Sequence, residues 1–331
     1  MKLISSLPRP LRRSAHVGVG VILAVVLASC GNQETYPLTT LSPKGKQADT
    51  IQDLVKPIFI IAGVVFVLVE VLVVVIVLKF RRRRDDVEGE NEPVQLHGNT
   101  AVELTWTALP ALLLAGLAVF NVQAIFSLEE RAPDAIQIDV TGQQWWWEYR
   151  YDLNSDGEPE IITANEMVIP AGKPVELNIR SRDVIHSFWI PALNGKMDAT
   201  PGSTHFMGLQ ANEPGVYEGQ CTEFCGLSHG YMRMSVKALE PAEYEQWLTD
   251  QQAPPADPTD EKAKAGRTAF QSQCAYCHQV NGLTAEGTYS GDGPVADYQG
   301  LDGAAVPTVR PEVVPNLTHL MSRDRFAGGM F

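Results

Sequence analysis

The stretch Cys221-Thr222-Glu223-Phe224-Cys225-Gly226-Leu227-Ser228-His229-Gly230-Tyr231-Met232 gathers two thiols, an imidazole and a thioether in one short run. Thiolate, thioether and imidazole together form the donor set that copper prefers over hard cations. Structural zinc would close a tetrahedron with Cys and His and leave Met232 without a role. A mononuclear blue-copper site uses one cysteine, so two in a single loop suggest a binuclear centre with bridging thiolates. On one straight helix Cys221 and Met232 would stand about 16 Å apart, too far to share a small centre. The stretch must therefore wrap as a loop, and Gly226 and Gly230 offer the backbone freedom for it. A further imidazole, His186, lies upstream in Asp183-Val184-Ile185-His186-Ser187. A Cys221–Cys225 disulfide beside a solvated histidine is the plain alternative, and it leaves the rest of the cluster unused.

Around this loop, short β-like runs (Ile136 to Val140, Pro174 to Arg180, Met232 to Ala238) alternate with Gly, Pro and Asn. That pattern predicts an all-β antiparallel sandwich or barrel over residues 129–250. The Pro-rich run Ala253-Pro254-Pro255-Ala256-Asp257-Pro258 reads as an extended linker, 251–261. Beyond it, Lys262 to Phe270 has helical spacing and leads into Cys274-Ala275-Tyr276-Cys277-His278, in what reads as a small all-α domain over 262–331. Cys-x-x-Cys-His is the covalent haem c attachment pattern, in which both thiols add to the haem vinyls and the histidine binds iron. A thioredoxin-like redox pair is the rival reading, but the adjacent histidine and the preceding helix favour haem.

Towards the N-terminus, residues 1–29 have a basic start, an apolar stretch from Val17 to Leu27 and a small-residue end, the layout of an export signal. The signal ends at Cys30-Gly31, which resembles a bacterial lipobox and implies cleavage before Cys30 and lipid on its thiol. Within 30–128, Pro57 to Leu78 is apolar apart from Glu70, and its roughly 22 residues span about 33 Å, enough for a bilayer core. Arg81 to Arg84 follow at once and place that end inside. Ala108 to Ile125 then returns the chain outward. The expected unit is a two-helix transmembrane hairpin in a bacterial cell membrane, with the later domains on the outer face. An acid at mid-membrane usually faces protein, so Glu70 is read as turned toward a neighbouring subunit.

The chain has 331 residues and a formal net charge of −13. From Glu129 onward, 14 Lys and Arg stand against 29 Asp and Glu. This balance argues against nucleic acid as a partner and would steer a basic protein toward it, with simple solubility an equal reading of the same charge. All five cysteines fall within the motifs above, so no structural disulfide remains to be assigned.

At every ligand position, Cys221 to Met232 resembles the CuA loop of cytochrome c oxidase subunit II. By that resemblance, Cys221 and Cys225 bridge two coppers, His186 and His229 bind one each, Met232 completes one copper and the Glu223 carbonyl the other. The Glu223 side chain would reach a magnesium ion shared with the catalytic subunit. Gly142-Gln143-Gln144-Trp145-Trp146-Trp147-Glu148-Tyr149 is similar to the family's aromatic segment, which makes Trp145 the point where electrons enter from cytochrome c, with Trp146 and Trp147 as packing. Val102-Glu103-Leu104-Thr105-Trp106-Thr107-Ala108-Leu109-Pro110 resembles the start of the family's second membrane helix, which puts Glu103 at the mouth of a proton channel in the catalytic subunit. On its own, Glu103 would be a favourable charge at a helix start.

The resemblance implies an electron-transfer subunit that works with subunit I and other oxidase subunits, fed by a cytochrome c-type donor through haem c and copper, with oxygen reduced in the partner. A quinol oxidase subunit II would lack the copper ligands, a nitrous oxide reductase would need a large propeller, and a scaffold lipoprotein would have no use for two redox ligand sets. In fused cytochrome c domains a Pro-x-Leu-Thr-His segment follows, matched here by Pro315 to His319, and the methionine ligand comes later. The chain stops at Phe331, so a truncated haem domain is expected, with Met321, Met330 and His319 as the candidate axial groups and the iron open or misligated.

Overall fold

The computed structural model describes residues 36–81, 98–154, 156, 159–253, 256–275, 278, 280 and 315–324. The expected signal at 1–29, its Cys30, Arg82 to Arg84, Cys277 and Met330 lie outside the described residues.

Helix α1 spans Lys46–Phe80 and α2 spans Thr100–Glu129. At 1.5 Å per residue these are about 52 and 45 Å long, and both are long and apolar enough to cross a membrane. α1 starts eleven residues before the apolar run because its first turns stand on the β domain. The amides of Lys46 and Ala48 donate to the carbonyls of Gln210 (3.3 Å) and Leu193 (3.0 Å). Groups that a helix start otherwise leaves unpaired are thereby satisfied, and the helix is tied to the sandwich. α2 is capped by Asn99, whose Oδ1 accepts from the amides of Ala101 (3.1 Å) and Val102 (3.2 Å). Glu70 is exposed midway along α1.

Among the described residues ten strands follow: β1 (Ile136–Gln143), β2 (Trp146–Tyr151), β3 (Ile161–Ala164), β4 (Glu166–Pro170), β5 (Val175–Ser181), β6 (His186–Trp189), β7 (Lys196–Ala199), β8 (His205–Leu209), β9 (Gly215–Gln220) and β10 (Arg233–Leu239). They form a sheet ordered β3-β2-β1-β5-β8, a second ordered β4-β10-β9 and a β6-β7 ribbon. The sandwich is as expected, but it is not purely antiparallel, because β1 pairs with β5 and β4 with β10 in parallel. The chain leaves the first sheet after β3, adds β4 to the second and returns as β5, and such a crossover is what brings in a parallel neighbour. Between the sheets, Ile138, Val140, Trp147, Tyr149, Leu177 and Ile179 meet Met167, Ile169, Met234 and Val236, all buried. The alternation along β1 and β5 is the period of two that a one-sided strand requires.

Helix α3 (Pro241–Gln252), which the β-like spacing did not announce, closes one end of the sandwich. Its Trp247 stacks on Tyr244 at 5.8 Å and meets Tyr151 edge-on at 5.4 Å. Helix α4 (Glu261–Ala269) is capped by Asp260 and runs into a π turn, Phe270–Cys274. Residues 315–324 return to the sandwich. There Asp324 pairs with Lys237 of β10, and the Arg323 guanidinium donates to the carbonyls of Asn316 (2.7 Å) and Thr318 (3.1 Å). Burial brings Arg323 down to about 10.

Candidate metal centre

The twelve residues 221–232 connect antiparallel β9 to β10, directly above the register pair Arg233–Gln220. The amide of Cys221 donates to the carbonyl of Met232 at 2.9 Å, which clamps the two ends of the loop. The loop thus wraps as its donor chemistry requires. Gly226 has φ +123, and a Cβ there would come within 2.9 Å of Gln144 Nε2 and 3.2 Å of the Trp145 ring. Both the backbone sign and the close approach call for glycine. Gly230 does not play the part expected of it: it is not among the positive-φ glycines, and a Cβ there would meet nothing. The wrap at that point is made by a short 3-10 turn, His229–Tyr231, open to any residue.

Inside the loop the two thiols lie 3.9 Å apart, unbonded. Cys221 Sγ is 4.0 Å from His186 Nδ1 and 3.3 Å from the Glu223 carbonyl. Cys225 Sγ is 3.5 Å from His229 Nδ1 and 3.8 Å from Met232 Sδ. Each thiol therefore faces one imidazole nitrogen and one weaker donor. A sulfur pair at this separation admits ions bonded to both at about 2.3 Å, an ordinary metal–thiolate length. Cys221, Cys225, Met232 and His186 are all buried, and the soft set fits copper. Burial opposes ionisation of Cys221, but hydrogen bonds with His186 and the backbone of Ser187 bring it down to about 7. Burial and the neighbouring Cys221 push Cys225 up to about 12. The second thiolate thus resists forming unless a cation is present to share it.

His186 stands at the start of β6, which crosses beneath the loop. Its Nε2 meets Asp183 Oδ1 at 2.8 Å, leaving Nδ1 toward Cys221. A carboxylate on the far nitrogen fixes the ring and its tautomer. Burial works against the charged form of Asp183, yet its bonds with His186 and with the Gln144 and Val184 amides hold it below the usual carboxylate range. The buried Trp147 ring meets the His186 ring edge-on at 5.9 Å. Gly142 completes this packing, since a Cβ there would be 3.0 Å from His186 Cδ2 and 3.1 Å from Trp147. On the other side, Phe224 packs edge-on against His229 at 5.7 Å and is itself exposed.

Trp145, half-buried, donates its indole N–H to the Cys225 carbonyl at 3.3 Å, and Gln144 Nε2 donates to the same oxygen at 2.6 Å. Asp183 Oδ2 also accepts from the Gln144 amide at 2.7 Å. The β1–β2 turn is thereby tied to both a thiol residue and a histidine of the cluster. Sequence reading missed Asp183, Gln144 and Gly142. The signal available for Asp183 was its place three residues before a metal-binding type of histidine, where an orienting carboxylate is common.

The family model described as the periplasmic domain of cytochrome c oxidase subunit II matches residues 152–239, and that for its transmembrane domain matches 40–124. Cytochrome c oxidase subunit 2 of Alkalihalophilus pseudofirmus is 40% identical over 274 residues, covering 80% of this chain and 77% of that protein. The chain belongs to the cytochrome c oxidase subunit II family. Cytochrome c oxidase subunit 2 of Bacillus sp. strain PS3 is 34% identical over 323 residues, 93% of this chain and 82% of that one. Among solved structures, the periplasmic domain of subunit II from Bradyrhizobium japonicum is 30% identical and covers 37% of this chain and 97% of its own, with a TM-score of 0.34. As a member of the family, this is an electron-transfer subunit of a haem-copper oxidase, working with partner subunits of that complex. It is a membrane protein with a periplasmic domain, and membership implies copper binding there.

Among the remaining residues expected to be functional in this subunit II, Glu103 sits in the first turn of α2, where its Oε1 accepts from the Asn99 amide at 3.1 Å. With the Asn99 cap, this closes the helix start from both sides. Glu223 is exposed. In the haem segment, Cys274 is exposed at the end of the π turn, and the His278 amide donates to the Cys274 carbonyl at 2.8 Å. His278 Nδ1 lies 3.0 Å from the Pro315 carbonyl, an arrangement that leaves Nε2 for iron. Of the candidate axial groups, Met321 is 95% exposed and His319 Nε2 is engaged with the Ala253 carbonyl at 3.1 Å.

Proposed function

We propose that the chain accepts electrons from a cytochrome c-type donor and a haem c of its own, and passes them by way of a binuclear CuA centre to the oxygen-reducing subunit I. One observation carries this reading: the thiols of Cys221 and Cys225, Nδ1 of His186 and of His229, the Met232 thioether and the Glu223 carbonyl converge within a single pocket. In this reading Cys221 and Cys225 bridge the two coppers, His186 and His229 take one each, and Met232 and the Glu223 carbonyl complete them. When bound, a thiolate-bridged copper pair shares one electron between two metals and so exchanges it with little rearrangement.

The chain's own residues supply the fixed surroundings. Asp183, Gly142 and Trp147 hold His186 in place, and the sandwich buries the sulfurs. Trp145 is assigned as the point where electrons enter, supported by its bond to the Cys225 carbonyl. The Glu223 carboxylate is assigned to a magnesium ion shared with subunit I, supported by its exposure on the loop. Glu103 is assigned to the mouth of a proton channel in subunit I, at the inner end of α2.

Cys274 and Cys277 would attach haem c, with His278 on the iron. Support comes from the Cys-x-x-Cys-His pattern itself and from the Nδ1 contact with Pro315, which leaves Nε2 for iron. Lipid on Cys30 would anchor the mature N-terminus beside the two-helix hairpin in a bacterial cell membrane. The unit plan is a signal at 1–29, the hairpin within 30–128, a cupredoxin-like domain at 129–250, a linker at 251–261 and the haem region from 262.

The deciding measurement is an electron paramagnetic resonance spectrum of the oxidised, purified oxidase together with copper and iron counts. The expected spectrum shows one unpaired electron shared equally by two copper nuclei. A single-copper hyperfine pattern, or zinc in place of copper, would overturn the assignment.

A further inference from the structure

Where the outer ends of α1 and α2 meet the sandwich, a polar cavity of about 210 Å³ is lined by Lys46, Gln47, Ser127, Arg131, Glu176 and Gln210, among others. Glu176 is 4% exposed, and its Oε1 has no hydrogen-bond partner. Its other oxygen is engaged, accepting from Gln137 Nε2 at 3.0 Å and facing Arg131 at 3.7 Å. The Oε1 of Gln47, on the same wall, is buried and unpartnered as well. Two orphaned acceptors in one cavity ask for a donor-rich group, because an unpaired buried acceptor costs about 1–3 kcal/mol. The cations Lys46 and Arg131 share the cavity with the acids Glu130 and Glu176, a balanced lining that matches a group carrying both charges.

Directly below, sharing Thr50, an apolar groove of about 650 Å³ runs between the two helices, past Leu54, Pro57, Leu117 and Phe120 to Ile61 and Leu113. From Thr50 to Ile61 it descends about 16 Å at 1.5 Å per residue. On α2 the same groove runs from Ala124 to Leu112, about 18 Å and inside the apolar run Ala108 to Ile125, which is close to one leaflet of the roughly 30 Å hydrocarbon core. A partner helix would need a seam through both leaflets, and α1 continues to Phe80 beyond the end of the groove. Depth and charge therefore select a lipid over a helix.

We infer that this junction is a binding site for one outer-leaflet phospholipid with a primary ammonium headgroup, phosphatidylethanolamine in chemical class. The ammonium donates to Glu176 Oε1 and Gln47 Oε1, the phosphate lies toward Lys46 and Arg131, and one acyl chain fills the groove below Thr50. The inference is independent of the copper and haem assignments.

The test uses the purified oxidase with its partner subunits, stripped of lipid, reloaded from micelles containing phosphatidylethanolamine, phosphatidylcholine or phosphatidylglycerol, and weighed by native mass spectrometry. One phosphatidylethanolamine should stay with each copy. A quaternary ammonium cannot donate hydrogen bonds, so phosphatidylcholine should be held about tenfold less well, the worth of one charge-assisted bond. Glu176→Gln and Lys46→Ala should each reduce retention severalfold at unchanged copper content. Lys46 is exposed, so its variant keeps the test decisive if Glu176→Gln fails to fold. No retained lipid, equal retention of the three headgroups, or retention that Lys46→Ala leaves unaltered would each overturn the inference.

Discussion

The copper loop and the haem segment are built on opposite plans. The loop at 221–232 hangs between two paired strands, is clamped at its ends, and has its donors packed against Trp147, Gln144 and Asp183 from distant parts of the chain. The described haem residues sit on one π turn after a short exposed helix, and their support comes from Pro315 and the 315–324 segment. In the first plan, residues far apart along the chain converge to hold the ligands. In the second, the attachment sequence is local. A preformed site loses function when its frame is disturbed, whereas a local site loses function only when its own few residues are changed.

The largest effect should come from removing a bridge. Cys221→Ser or Cys225→Ser should abolish the shared-electron signal and electron delivery to the partner subunit, because a hydroxyl does not replace a bridging thiolate. Metal counting and the paramagnetic spectrum check it, and two coupled coppers in either variant would mean other ligands. The contrast itself is tested next: His278→Ala and Cys274→Ser should disturb or abolish haem attachment while copper content stays at the wild-type level, read by haem stain and metal analysis on one sample. Copper lost along with haem would show that the two regions fold as one.

Asp183→Ala leaves every ligand in place and removes the carboxylate that orients His186 and holds the Gln144 amide. It should lower copper affinity by about 10–100-fold, the usual cost of losing a carboxylate behind a metal-binding histidine, measured by competition with a copper chelator. Trp145→Ala should have the smallest effect on the centre, with copper content and spectrum unchanged and only electron uptake from reduced cytochrome c slowed severalfold. An unchanged rate in stopped-flow mixing would take Trp145 off the route.

How much of this was legible beforehand depended on distance along the chain. Cys221 to Met232 could be read donor by donor because the ligand chemistry is tied to residue type and the ligands are near neighbours. Cys274 to His278 is a local pattern of the same kind. The membrane hairpin was legible because the bilayer thickness sets a length that Pro57 to Leu78 meets. What stayed hidden were pairings between distant residues. Gly142 is glycine because the rings of His186 and Trp147 close on it, and Gln144 reaches a carbonyl at Cys225. The parallel partners of β1 and β4 depend on where a crossover lands, and no short window of sequence records that. Gly230 marks the opposite error, since a glycine in a loop suggested strain and the backbone there has none.

The bond from the Cys221 amide to the Met232 carbonyl, with Arg233 and Gln220 paired just beneath it, makes the metal-binding stretch a cassette. Its two ends are joined to each other as well as to the sandwich, so its interior can be rewritten without moving the strands on either side. A descendant that exchanged the thiols for inert residues would keep its shape, its membrane anchor and its contacts with partner subunits while giving up the metal. Selection can therefore remove the metal from such a subunit by editing a dozen consecutive codons, with the rest of the architecture carried over intact.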